Sequence, residues 1–420
     1  MPVKSKFKFN YLGQYLLAFI YPWRHIDWFL LLLVTGLTAF GGLTIYSIEL
    51  VEQYSHSYQH LLIGGLGLIL AIAISRWRYE NLLQWYWFIY AATNISLVAV
   101  MITGVTAKGA QRWLNIGGFN VQPSEFAKIA MVITLAALLH DKNIANLGAV
   151  IRTLAITAVP WGLVFLQPDL GTSLVFGVIV LMMLYWANAN SGWLILIVSP
   201  LISAIFYHLY LPGWILWVLT VAGIAWLTLP VKIVSTLSAI AINLGAVELG
   251  NFFWSLLQDY QKARLILFLA PEKDPLGGGY HLIQSRIAIG SGGMWGQGLY
   301  EGTQTQLNFI PEQHTDFIFS AVGEEFGFVG SIALVVVLWS ICVRLVWIAN
   351  QAKDNFGSLL AIGVLAIIAF QVVVNISMTI GLAPITGIPL PWMSYGRSSL
   401  LSSFIAIGLV ESVANHRDKT

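Results

Sequence analysis

The chain is short of charge. Asp, Glu, Lys and Arg make up 10% of its 420 residues, against about 25% in a soluble domain. Its net charge of +2 offers no basic face for nucleic acid. A single cysteine, Cys342, excludes an intrachain disulfide and a cysteine-based metal cluster, and reads as a small apolar packing residue. There is no P-loop, no HExxH, no GxSxG and no His/Cys metal spacing. Nor is there an internal repeat or inverted symmetry of the kind many transporters show. No cleavable signal peptide stands out. A short basic arm (Lys4, Lys6, Lys8) precedes the first long apolar run, which reads as a permanent helix.

What the chain has is apolar length: 58% hydrophobic residues and a mean hydropathy of +0.77. A hydrocarbon layer about 30 Å thick takes roughly 20 apolar residues per helix. Such windows lie at 28–47, 59–75, 82–103, 124–140, 147–166, 170–187, 193–211, 213–229, 233–254, 315–340, 358–380 and 398–414. The fold class is therefore all-α, a polytopic integral membrane helical bundle forming one domain over 1–420. A cytoplasmic arm covers 1–27 and a large extracytoplasmic loop covers 258–314.

Lys and Arg orient the bundle. With both termini in the cytoplasm, thirteen of the 21 basic residues fall on inner loops. The other eight are Lys108, Arg112, Lys128, Lys262, Arg264, Lys273, Arg286 and Arg397. They fall on the outer side, in the regions 108–128, 262–286 and 397. Positive charge placed against the topology rule is either loop solvation or a site for an anionic ligand, and the clustering favours the ligand.

Four outer stretches carry polar residues into this setting. In 108–128, Pro123 and Ser124 start a helix, with Ser124 as N-cap. Glu125 and Lys128 share a face three residues apart, as either a structural salt bridge or a functional pair, and Trp113 suits an interfacial belt. In 167–173, Asp169 caps the next helix. In 277–330, glycine is dense and His281–Gly290 forms an amphipathic helix lying at the outer interface. Leu282, Ile283, Ile287 and Ile289 share its apolar side, and Arg286 projects from that side and needs an anionic partner or a route to water. A membrane helix then starts at Thr315. Ser320, Gly323 and Gly327 lie below Asp316 for close helix approach, and Glu324 and Glu325 lie about 12 Å deeper. In 381–399, prolines and glycines break the backbone, which at membrane depth is tolerated only against protein or a cavity.

The segments RWLNIG, QPSEFAK, QPDLGTS, GYHLIQSRIAIGSGG, GTQTQLNFIPEQHTDFIFSAVGEEFG and GIPLPWMSYG resemble, in order, the SEDS family (shape, elongation, division and sporulation). GTQTQLNFIPEQHTDFIF and DPLGGGYH are closer to its elongation branch, typified by RodA, than to its division branch, typified by FtsW. The resemblance implies a SEDS fold with ten core membrane helices, so that 213–256 adds a further pair, making twelve. It also implies a peptidoglycan glycosyltransferase of the bacterial inner membrane. Such an enzyme polymerises lipid II, an undecaprenyl-pyrophosphate-linked disaccharide-pentapeptide, at the outer face, together with a class B penicillin-binding transpeptidase and the elongation machinery. Asp316 falls on the family's essential acid, Trp113 on its loop tryptophan, and Glu125 and Lys128 on its QPSE…K motif. Arg397 stands where the family has glycine.

Chemically, transfer of a sugar from a pyrophosphate needs a base for the attacking hydroxyl and fixed cations, or a metal, at the leaving group. Asp316 is the expected base, or holds a divalent cation (Mg or Mn), and no organic cofactor is expected. Lys128 and Arg112 are the first expected phosphate contacts, with Arg264, Arg286 and Arg397 in reserve. Glu312 and His314 flank the acid. An FtsW-like division polymerase, a lipid II flippase without chemistry and a silent membrane scaffold are the alternatives.

Overall fold

The computed structural model describes residues 26–50, 55–107, 110–140, 147–275, 277 and 279–417. Residues 1–25 of the arm lie outside the described residues, as do Lys108, Lys142 and Lys419 of the orientation argument.

A chain in hydrocarbon must satisfy its backbone N–H and C=O groups internally, so its apolar runs coil. The elements, in order, are α1 (Trp28–Glu49), α2 (His56–Arg76), α3 (Leu82–Thr103), β1 (Val105–Ala107), β2 (Ala110–Ile116), β3 (Phe119–Val121), α4 (Pro123–Leu139), α5 (Leu147–Leu166), α6 (Leu170–Trp186), α7 (Ser191–Leu209), α8 (Leu211–Thr228) and α9 (Lys232–Leu256). There follow α10 (Asp259–Leu269), α11 (Tyr280–Ser291), α12 (Thr303–Gln306), α13 (Ile318–Asn350), α14 (Asn355–Ile380) and α15 (Arg397–Asn415). Helices α1–α9 and α13–α15 coincide with the twelve apolar windows. Among the described residues, ten are long and apolar enough to cross a membrane, and α6 is a shorter apolar helix. The protein is an integral membrane bundle.

Side-chain caps fix several helix starts. Asp27 accepts from the Leu30 N–H at 3.2 Å, Asp169 from the Thr172 N–H at 3.1 Å and Asp354 from the Gly357 N–H at 2.8 Å. The N-cap of α4 is Gln122, with Pro123 at the first helical position, so Ser124 lies inside the first turn rather than at the cap.

Helices α4, α14 and α15 form the buried centre. α15 runs against α2 at close range, because a Cβ at Gly408 would stand 2.8 Å from the Ala71 backbone. At one end of the bundle Arg344 of α13 meets Asp27 at 2.5 Å, and Glu411 of α15 accepts the Asp27 N–H at 2.8 Å. Helices α7, α8 and α9 pack around a separate small core of Leu196, Val221, Ala225, Leu229 and Ala239. α8 and α9 fill the 213–256 stretch, and Phe253 of α9 packs edge-on against Trp161 and Phe165 of α5.

Four local features differ from expectation. A three-stranded antiparallel sheet, β1-β2-β3, joins α3 to α4 within the helical fold. α13 begins at Ile318, not Thr315, so Asp316 precedes the N-cap Phe317 and is not in the helix's first turn. The loop 258–314 holds three α-helices rather than one.

The face of α11 also differs. It buries Leu282, Ser285 and Ala288, while Arg286 and Ile287 are exposed. The cause is that protein covers this face. The helix packs lengthwise on α13 and α14, with the Ser285 hydroxyl bonded to Ser320 (2.6 Å) and to the Thr379 carbonyl (2.7 Å). The small residues of α13 receive this segment: a Cβ at Gly323 would meet Ile289 at 3.0 Å, and one at Gly327 would meet the Gly296 backbone at 2.3 Å. Gly327, at φ 64°, kinks α13 there, a conformation open to glycine.

Candidate functional site

The end of the bundle where α1 gives way to α2 holds a cavity of about 430 Å³. The broken segment 381–396 forms one wall. Its irregular backbone is buried in protein, with Ile388, Leu390, Trp392 and Met393 all under 4% exposed. Gly41 of α1 admits it, since a Cβ there would stand 2.7 Å from the Met393 carbonyl oxygen. The remaining walls come from the sheet, α4, α6, α10, α14, the first turns of α2 and α15 and the turn before α13.

Seven of the ten expected site residues line this cavity: Asp316, Arg112, Trp113, Glu125, Lys128, Arg264 and Arg397. They come from regions more than 280 residues apart in the chain. Glu312 and His314 instead shape the turn that carries Asp316. The Glu312 carbonyl accepts the N–H groups of Thr315, Asp316 and Phe317, and the His314 carbonyl accepts the Tyr395 N–H at 2.8 Å. Arg286, expected as a reserve cation, lies outside the cavity, because the burial of Leu282 and Ser285 turns it outward beside Gly381.

The four cavity cations fall into two kinds. Lys128, 2% exposed, sits on Glu125 with its ammonium 2.9 and 2.8 Å from the two carboxylate oxygens, and Ser402 donates to the same carboxylate at 3.2 Å. Arg112 is 3.8 Å from Asp169 and donates to the carbonyls of Gln167 and Pro168. Asp169 thus works beyond its expected cap: it also accepts from Gln122 at 3.3 Å. Both cations expected to meet phosphate first are therefore engaged by carboxylates.

Among the described residues Arg264 and Arg397 are held without one. Arg264 lies over the Tyr260 ring at 5.6 Å, and Arg397 donates to Gln59 (2.9 Å) and the Tyr395 hydroxyl (3.1 Å). Gly387, at φ 73°, stands between the acid and the first of these: a Cβ there would be 3.6 Å from Asp316 Oδ2 and 4.0 Å from the Arg264 guanidinium. The cavity therefore sets a carboxylate beside cations that no carboxylate among the described residues engages. That arrangement suits an anionic substrate from which a proton must be removed.

Several contributors escaped the sequence reading. Gln371 and Asn375 stand four apart on the otherwise apolar α14, a spacing that puts both on one face. Intramembrane polar residues are functional signals in themselves, so this pair was findable. Asn375 Nδ2 donates to the Asp316 carbonyl at 2.9 Å and to the Ile388 carbonyl at 2.8 Å, tying the acid's turn to the broken segment. Asn375→Ala strips the buried Ile388 carbonyl of its donor, at roughly 1–3 kcal/mol, and the half-buried Asp316 carbonyl as well. A thermal melt in detergent is expected to show a lower midpoint than wild type. His56, Tyr260 and Tyr395 also line the cavity; of these only Tyr395 lay within a recognised motif.

Two carboxylates, Glu324 and Glu325, sit deeper in α13. Glu324 accepts the N–H groups of Gln304 (2.7 Å) and Thr305 (2.9 Å), and Glu325 accepts the Ser47 hydroxyl. They are partners for hydroxyl and backbone groups that hold α12 and α1 in place.

A family model described as cell cycle protein, named for FtsW, RodA and SpoVE, matches residues 24–214 and 208–419. The chain is 35% identical over 399 residues to the peptidoglycan glycosyltransferase MrdB of Escherichia coli, covering 94% of each. It is 34% identical over 423 residues to the peptidoglycan glycosyltransferase RodA of Treponema pallidum, covering 92% of this chain and 97% of that one. A solved chain from a peptidoglycan synthase complex that coordinates polymerization and crosslinking superposes with a TM-score of 0.70 at 26% identity, over 94% of this chain and 100% of that chain.

Proposed function

This chain belongs to the FtsW, RodA and SpoVE family, and on that premise we propose how its cavity carries out the family's chemistry. The protein is a peptidoglycan glycosyltransferase, nearer in its relatives to the elongation branch than to the division branch. The substrate is lipid II, taken up at the cavity end of the bundle, which faces outward across the inner membrane with both termini in the cytoplasm. A sugar 4-hydroxyl attacks the anomeric carbon of a second lipid-linked disaccharide. The new C–O bond forms, the bond to pyrophosphate breaks, and Asp316 receives the hydroxyl proton. Arg264 and Arg397 face the pyrophosphate as it leaves, and Lys128 and Arg112, held by Glu125 and Asp169, set the positive field behind them. Trp113 offers a flat apolar surface at the cavity wall. A class B penicillin-binding transpeptidase and the elongation machinery are its partners.

The observation that carries this reading is the meeting of Asp316 with four cations in one cavity. Among the described residues no group of three or more His, Cys, Asp or Glu side chains is placed to hold a metal ion. A divalent cation in the reaction would enter on the pyrophosphate and meet Asp316, since Glu125 and Asp169 are engaged by Lys128 and Arg112. The deciding experiment is polymerisation of lipid II by the purified protein in detergent, with and without the transpeptidase. Glycan chains formed where no two-sided membrane exists rule out the flippase; absence of chains with the partner present rules out this reading.

The cations make a second, separable expectation. A hydrogen bond to a charged group contributes about 1.5–3 kcal/mol, and 1.4 kcal/mol is about tenfold in affinity. Arg264→Ala and Arg397→Gly are each expected to raise KM for lipid II roughly tenfold or more in a substrate titration. Unchanged KM in both would remove the guanidinium groups from the pyrophosphate site.

A further inference from the structure

We propose that His56, anchored by Glu49, is a positioning residue for Asp316. It acts by stacking on His314 and so fixing the turn that carries the acid. This rests on the role given to Asp316 above.

Glu49 ends α1 and His56 begins α2, and the two helices meet through this pair. The Glu49 carboxylate is buried and accepts the backbone N–H groups of His56 (2.9 Å) and Ser57 (3.0 Å). Capping the α2 N-terminus accounts for those two contacts. It does not account for the third: His56 Nδ1 lies 2.6 Å from Glu49 Oε1, which fixes the plane of the imidazole. So held, the ring stacks on His314 with centroids 4.9 Å apart and planes 9° apart, and takes the Tyr395 ring edge-on at 4.6 Å. Both distances fall in the favourable range for ring pairs, about 4.5–7 Å.

The turn at 312–317 has no helix of its own to hold it. Its backbone is tied by the Tyr395 N–H on the His314 carbonyl and by Asn375 on the Asp316 carbonyl. The His56 stack adds a side-chain constraint two residues from the acid. One turn further along α2, Gln59 accepts from both Tyr395 and Arg397. The first turn of α2 therefore holds the acid's turn and the Arg397 cation in one frame, and Glu49 locks that frame to α1.

A misplacement of about 1 Å at a reacting group can cost on the order of 100-fold in rate. His56→Ala is expected to lower kcat for lipid II polymerisation about 10–100-fold with KM little changed. His56→Phe keeps a flat ring for the stack and is expected to recover most of that loss. His56→Leu fills similar space without a planar ring and is expected to stay low, so it replaces the alanine variant if that one does not fold. Thermal midpoints are measured for each. Wild-type protein is assayed first in the same preparation: inactivity there would count against the glycosyltransferase assignment of the cavity and leave the variants uninterpreted. With active wild type, three results overturn the positioning role. They are full activity in both alanine and leucine variants, a raised KM with intact kcat, or a folded phenylalanine variant as slow as the leucine one. The last would mean that the imidazole itself handles a proton or touches substrate.

Discussion

Asp316→Asn is expected to abolish glycan synthesis from lipid II while the purified protein keeps its fold. The change replaces a carboxylate by an amide of nearly the same shape. The turn is held through its backbone, by the Glu312 carbonyl and by Asn375, and those bonds do not involve the side chain. What is lost is the proton acceptor. A positioned base contributes typically 10²–10⁴-fold, enough to remove detectable polymer in an ordinary assay. The measurement pairs a gel of glycan chains with a thermal melt, and full activity of the asparagine variant would sink the base assignment.

Glu125→Ala is expected to cost more stability than any other single change in the site. Lys128 is 2% exposed and its ammonium lies 2.8 Å from Glu125. Removing the carboxylate strands a buried charge, and breaking such a pair costs about 3–5 kcal/mol. A large fall in thermal midpoint, with loss of monodisperse protein in detergent, is the expected reading. The double change Glu125→Ala with Lys128→Met removes both charges and is expected to restore the midpoint, because an apolar pair in that position carries no desolvation cost. Activity then separates two roles. If the double variant folds and stays inactive, the Lys128 charge serves the reaction. If it folds and polymerises normally, the pair is a staple between α4 and α15 through Ser402.

The same residues show where sequence reasoning reaches and where it stops. The twelve helices were legible because lipid imposes one requirement on all of them, a long apolar run, and such a run is visible without knowledge of its neighbours. Asp169 was legible as a cap because capping is a contact with residues three positions on. The sheet at 105–121 was not: its strands are short, and the 116–119 turn relies on Gly117 and Gly118 at positive φ, a local signal easily read as loop. The buried face of α11 was misassigned because the helices that cover it, α13 and α14, are contacts the local sequence does not show. Against two protein helices, the serine at 285 is an interior residue with two hydrogen bonds, and the polar-apolar division that applies at a lipid surface no longer does. Arg286 moved out of the site for the same reason.

By itself the sequence determined the phase the protein lives in, the number and order of its apolar helices, and the end of the bundle at which cations and a conspicuous acid collect. Those properties depend on composition and spacing along the chain. Only the tertiary structure decided which cations are already engaged by carboxylates, that the Asp316 turn is tied to α14 and to the broken segment, and that Glu49 and His56 stand beside it. Ion pairing and stacking act over a few ångströms. The partners of Asp316 lie from two to more than 250 residues away in the chain, so only folding brings them within that range.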